Sequence, residues 1–145
     1  MPTGGFVGTY EVSVYKQRIM LPTQFQKKLN AAAKQTFILT IGYDNTIAAY
    51  SLDNWNALVN RLQNGSEDDQ DFLDDLYYYA SEQQLEGPGR LKISDDLMRL
   101  ADVKDVVKVM GVGTYLSIFS PEHLEKRHRK IEENAQLHPR RKWNV

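Results

Sequence analysis

The sequence predicts an α+β fold in which two similar halves complete one body. Three observations predict it. Arg18-Ile19-Met20-Leu21-Pro22 leads into a short amphipathic stretch ending at Leu29, and Arg90-Leu91-Lys92-Ile93-Ser94 leads into a similar one ending at Leu100. Ile41-Gly42 followed by Thr46 to Asp53 is echoed by Met110-Gly111 followed by Tyr115 to Glu122. A pattern that returns in the same order and spacing marks two copies of one supersecondary unit. Neither copy is long enough to bury a good core alone, so the halves must share one.

Each element follows from local pattern. Residues 6–14 alternate between apolar and polar and predict a strand. Tyr15-Lys16-Gln17 reads as a turn, and Arg18 to Leu21 as a second strand whose ladder Pro22 stops. From Thr23, Phe25 and Leu29 fall on one helical face. Phe37 to Ile41 and Thr46 to Tyr50 are strands around the turn residues Gly42-Tyr43-Asp44-Asn45. Ser51 or Asp53 is placed to cap a helix carrying Trp55, Leu58, Val59 and Leu62. Asn64-Gly65 ends that helix. Ser66-Glu67-Asp68-Asp69 starts another, with acids at the positive dipole end. Its apolar stripe is Phe72, Leu73, Leu76, Tyr77 and Ala80, and its outer face carries Asp71, Asp74 and Asp75. Glu86-Gly87-Pro88-Gly89 is the tightest turn signal in the chain. Arg90 to Ile93 is then a strand, and Ser94-Asp95-Asp96 opens a helix through Leu97 and Leu100. Val106 to Val112 and Tyr115 to Phe119 are strands around Gly113-Thr114. Ser120-Pro121-Glu122 starts a last, mostly polar helix running to about Ala135. A basic tail follows, His138-Pro139-Arg140-Arg141-Lys142-Trp143.

This divides the chain into a first repeat (1–64), an acidic linking helix (65–80), a second repeat (81–125) and a helix end with a basic tail (126–145). Trp55, Leu58, Phe72, Leu76, Tyr77 and Leu97 are expected in the core or at an interface, and any exposed aromatics among them would mark a subunit contact.

Composition narrows the function. The 145 residues are 41% hydrophobic and 26% charged, as in ordinary globular proteins. No long apolar run predicts a membrane span, and the N-terminus does not read as a secretion signal. Cysteine is absent, which removes disulfides and thiolate metal sites and fits a cytoplasmic location. The net charge is -1. A chain so balanced binds DNA only if its positive charge is segregated, or if several copies pool it.

The motifs do not favour an enzyme. His123 and His128 are five apart, which does not stack them as metal ligands, and they read with His138 as exposed polar residues. No serine sits in a nucleophile elbow, and no glycine-rich loop precedes a helix as a phosphate cradle. No cofactor or metal is expected.

Arg18 and Arg90 are the better candidates. Each follows a turn and opens a short strand at the matching place in its repeat. A guanidinium at a hairpin tip can hold a phosphate, or guanine O6 and N7, with two hydrogen bonds. Lys16 in the first turn can add a phosphate contact. The alternative is an internal ion pair with Glu11 or Glu86, which would leave only an architectural likeness to a DNA reader.

With these residues the chain resembles the MraZ family, built from two AbrB-type swapped-hairpin repeats. Ala80-Ser81-Glu82-Gln83-Gln84-Leu85-Glu86-Gly87-Pro88-Gly89-Arg90 is similar to the family's Ala-x-Glu-x-x-Leu-Asp-x-x-Gly-Arg segment. Phe6-Val7-Gly8-Thr9-Tyr10-Glu11 is similar to the family's opening. There are departures. Tyr15-Lys16-Gln17-Arg18 lacks the Asp and Gly of the family's first turn, and Gln17 would strain a backbone that Gly tolerates. Ser94 stands where the family has Pro. The resemblance implies two interlocked β-α-β swapped-hairpin repeats forming a small barrel-like core with outer helices. It implies a cytoplasmic, nucleoid-associated regulator that forms a homo-oligomeric ring on double-stranded DNA. Its short repeated sites would lie upstream of cell-division and cell-wall genes, and Lys16, Arg18 and Arg90 would contact the DNA. A ring answers the charge problem, since several copies align weak basic hairpins along one duplex. A non-DNA-binding scaffold of the same fold is the alternative, favoured by the altered first turn and the acidic helix.

Overall fold

Alternating patterns in the first half become β1 (Thr9–Tyr15), β2 (Arg18–Met20), β3 (Thr36–Ile41) and β4 (Ile47–Ser51). The second half supplies β5 (Ser81–Gln84), β6 (Arg90–Lys92), β7 (Val106–Gly111) and β8 (Tyr115–Phe119). The computed structural model describes residues 3–137, so the basic tail from His138 onward lies outside the described residues. Its eight strands form one antiparallel sheet in the order β5-β3-β4-β8-β7-β1-β2-β6. The ends of that order meet at the turn joining β5 to β6, where Glu86 bridges Arg90, so the sheet is a nearly closed barrel.

The halves interleave. β1 pairs with β7, Thr9 opposite Met110, and β3 pairs with β5, Thr36 opposite Gln84. β2 pairs with β6, and β4 with β8. These last two pairings join matching strands of the two halves, so a pseudo-twofold axis runs through both. Each half runs strand, strand, helix, strand, strand. The interior is built jointly: Ile19, Phe25, Phe37, Leu91, Leu97 and Leu116 are each 0–1% exposed within one cluster. Phe25 is met edge-on by Phe6 at 5.7 Å and by Tyr10 at 5.3 Å. Truncating such a side chain, Leu91→Ala for example, costs about 2–5 kcal/mol.

The helices are α1 (Thr23–Gln26), α2 (Leu52–Gln63), α3 (Glu67–Tyr79), α4 (Asp95–Leu100) and α5 (Pro121–Leu137). Ser66 and Asp69 form a reciprocal capping box on α3. Ser94 caps α4 by accepting from the Leu97 N–H at 3.3 Å, and Ser120 accepts from the His123 N–H at 3.3 Å. α2 and α3 pack over the outside of β3, and Ile38, Trp55, Leu58, Leu62, Leu73 and Leu76 form a second core there.

Several expectations need correction. The first strand begins at Thr9 rather than residue 6, because Gly8 takes φ +114° and interrupts the ladder. The stretch from Thr23 to Leu29 is one helical turn followed by turn residues, and Ala31–Ala33 forms a 3-10 turn. Ser51 occupies the N-cap of α2 without a side-chain cap bond, and Asp53 instead accepts from the Thr3 N–H at 2.6 Å. Burial alone would raise the Asp53 carboxyl, but the hydrogen bond from Thr3 holds it below the usual range. The residues expected in the core or at an interface divide: Trp55, Leu58, Leu76 and Leu97 are buried, and Phe72 and Tyr77, 50% and 52% exposed, fall to the interface alternative. His123 is not a simple exposed residue: it packs beside Phe119 with its ring centroid 5.5 Å away. Burial pushes its imidazole down, against a smaller upward pull from Asp44.

Candidate nucleic-acid interface

The ladder between β2 and β6 decides where the candidate cations go. Arg18 lies opposite Lys92, Ile19 opposite Leu91, and Met20 opposite Arg90. Side chains alternate across a strand, and cross-strand partners share a face. Ile19 and Leu91 are buried, so Arg18, Met20, Arg90 and Lys92 all face outward together. β1 extends the face, because Tyr15 lies opposite Arg18 and is 73% exposed. Ser13, Tyr15, Lys16, Arg18, Met20 and Arg90 line a shallow hollow of about 420 Å³. All three residues singled out in the sequence therefore meet at one place. Lys92 and the Tyr15 and Met20 side chains were not singled out. Period-two spacing from Arg90 would have found Lys92.

The two turns that present the arginines differ. Lys16 and Gln17 take φ 49° and 64°, which is the left-handed backbone of a two-residue hairpin turn. That turn ordinarily favours Asn-Gly, so the expected strain at Gln17 is present. Neighbours brace it: the Ile93 N–H donates to the Gln17 carbonyl at 2.7 Å, and the Gln17 amide donates to the Asp95 carboxylate. The second turn uses glycine at both left-handed positions, Gly87 (φ +50°) and Gly89 (φ +120°). The Gly89 and Arg90 N–H groups both donate to the Glu86 carbonyl, at 3.0 and 2.9 Å. A Cβ on Gly89 would meet the side-chain amide of Gln26, which would have to swing away from the Leu21 carbonyl it donates to.

The arginines also differ in their partners. Arg18 Nε donates to Glu86 Oε1 at 2.8 Å, and Arg18 Nη1 donates to the Lys16 carbonyl at 2.9 Å. The internal pair set out as the alternative, the one that would leave only an architectural likeness, therefore exists for Arg18 with Glu86, but it is open to solvent and both arginines still share one face. Glu11 instead pairs with Lys108 at 3.2 Å. Arg90 makes no salt bridge among the described residues. The Arg18 and Glu86 side chains are 35% and 45% exposed, and a solvent-exposed pair of this kind adds little net stability. The hydrogen bond from Arg18 holds the Glu86 carboxyl below its ordinary range, and Arg90 and Lys92 add to that pull. Three cations, Arg18, Arg90 and Lys92, thus act on the one Glu86 carboxylate. The surface can take phosphate oxygens through Lys16, Arg90 and Lys92, and Arg18 joins once it exchanges Glu86 for a phosphate.

Among the described residues no group of three or more His, Asp or Glu side chains could hold a metal ion, and no helix is long and apolar enough to cross a membrane.

Comparison with known proteins gives a consistent result. A family model described as "MraZ protein, putative antitoxin-like" matches residues 6–75. A transcriptional regulator MraZ from Alkaliphilus oremlandii is 34% identical over 125 residues, covering 83% of this chain and 85% of the relative. One from Alkaliphilus metalliredigens is 32% identical over 121 residues, covering 81% and 82%. One from Clostridium tetani is 32% identical over 126 residues, covering 83% and 85%.

Proposed function

We propose that this chain, which belongs to the MraZ family, binds DNA in a sequence-specific way through the β2–β6 face and regulates transcription as a homo-oligomeric ring. Its sites would be short repeats upstream of cell-division and cell-wall genes, and it would work in the cytoplasm in association with the nucleoid. The relatives are named as transcriptional regulators, not as enzymes. One observation carries the reading: Lys16, Arg18, Arg90 and Lys92 converge on one outer face although the whole chain is net negative. Phosphate contacts by the lysines position the protein, and the arginine forks read guanine edges. Copies arranged in a ring add their separate weak contacts along repeated sites.

The test is a mobility-shift assay on DNA from upstream of the protein's own gene, at two salt concentrations. The expected result is a discrete shift that weakens as salt rises, and weakens further in Arg18→Ala and Arg90→Ala without loss of folding. Absence of any shift at low salt sinks the proposal.

A second reading, a scaffold that has lost DNA binding, is favoured by the Arg18–Glu86 pair and by the glycine-free first turn. It predicts an assembled, folded protein that retains a protein partner and shifts no DNA.

A further inference from the structure

The pseudo-twofold axis makes α2 and α5 counterparts, because each follows one strand of the β4–β8 pair. Alignment from the starting serines, Ser51 and Ser120, sets Leu58 against Arg127 and Leu62 against Ile131. In the first half, α3 covers that stripe: Leu58 and Leu62 are buried with Leu73 and Leu76. In the second half, no helix among the described residues covers it. Arg127 is exposed and Ile131 is 37% exposed. The β3–β4 turn reaches this side of α5, with Asp44 3.9 Å from Lys130, but no helix among the described residues fills the position that α3 fills over α2, and the leucine that met α3 has become an arginine.

We infer that α5 of one copy is covered by the outer face of α3 from a second copy. The inference rests on the ring reading above and names the surfaces that build it. Charge selects the occupant. α3 carries six carboxylates and no cation. α5 carries the run Lys126-Arg127-His128-Arg129-Lys130. Asp71, Asp74, Asp75 and Tyr78 recur at helical spacing on the side of α3 away from its core residues. Shape agrees with charge. Tyr78, 82% exposed on that face, offers apolar area to Ile131 and to the aliphatic stems of the basic residues. On the ring reading the two surfaces meet head-to-tail, α3 of each copy on α5 of the next, the kind of contact that closes into a ring when the rotation permits.

The test uses the full chain in two forms, Asp71→Lys/Asp75→Lys and Lys126→Glu/Arg127→Glu, with mass read by light scattering after gel filtration. The wild type is expected to be an assembly, and each reversed form is expected to fall to half that mass or less. Mixing the two forms one to one is expected to restore the assembly, because alternating copies then match reversed α3 to reversed α5 and native to native. A misfolded variant would not be rescued, so restoration also shows that both forms fold. Unchanged mass in both reversed forms, or dissociation without rescue on mixing, overturns the α3–α5 contact while leaving the ring intact as a reading. A monomeric wild type at every concentration overturns the ring itself.

Discussion

The turns at residues 16–17 and 86–89 occupy matching places in the two halves, yet they hold their arginines in different ways. The second is made of glycine where the backbone turns left-handed, and among the described residues its Arg90 makes no salt bridge. The first forces Lys16 and Gln17 into the same backbone region and is braced from outside by Ile93 and Asp95. Its arginine is held by Glu86, which belongs to the other turn. One carboxylate in the glycine turn thus restrains the arginine of the glycine-free turn. Duplication preserved where the cations sit, while their readiness to leave the protein surface diverged.

The largest break in this comparison is Gly89→Ala. Its Cβ meets Gln26 and its φ is +120°, so a loss of about 3 kcal/mol is expected in urea unfolding. Arg90→Ala comes next. It should weaken DNA binding by about tenfold or more, since a bidentate arginine contact is worth about 1–3 kcal/mol. Arg18→Ala should cost less in the same titration, because binding through Arg18 first breaks its bond to Glu86. Equal losses for the two would erase the proposed asymmetry. Gln17→Gly relieves a left-handed glutamine and should raise stability by about 1 kcal/mol, seen as a higher midpoint in urea. Glu86→Gln removes the carboxylate that holds Arg18 and should tighten DNA binding, roughly threefold at low salt and less at high salt.

The smallest effect is with pH. Glu86 and Asp53 both have carboxyls held below their ordinary values of 4.5 and 3.8. A depressed folded value gives stability that is present above the unfolded value and lost as pH falls through the folded one. Acid titration of the melting temperature should therefore show a decline that begins below about pH 4.5 and is smaller in Asp53→Asn, measured against the wild type at neutral pH.

Much of this was legible in the residues. The duplicated Arg-apolar strands fixed β2 and β6, and the serine caps before acids fixed the starts of α3 and α4. The positive φ at Gln17 was readable from the absence of glycine in a short turn. β5 was not legible, because Ser81-Glu82-Gln83-Gln84 carries no apolar signal. It is a strand only because β3 supplies a ladder for it. The Arg18–Glu86 choice over Glu11 was not legible either, since it depends on which strand closes the barrel. The exposure of Phe72 and Tyr77 followed the same rule, as a helical stripe does not say how wide a face its partner covers.

The interleaving of strands also bears on how the molecule comes into being. β1 waits for β7, which is made some ninety residues later, and β3 waits for β5. Emerging from the ribosome, the first repeat can form only its own β1–β2 and β3–β4 hairpins, and the remaining contacts, so remote in sequence, slow folding. The open edges of β1 and β3 must therefore stay unpaired until the second repeat has been synthesised, and a fragment truncated before β7 would be a substrate for chaperones and proteases rather than a smaller version of the native protein.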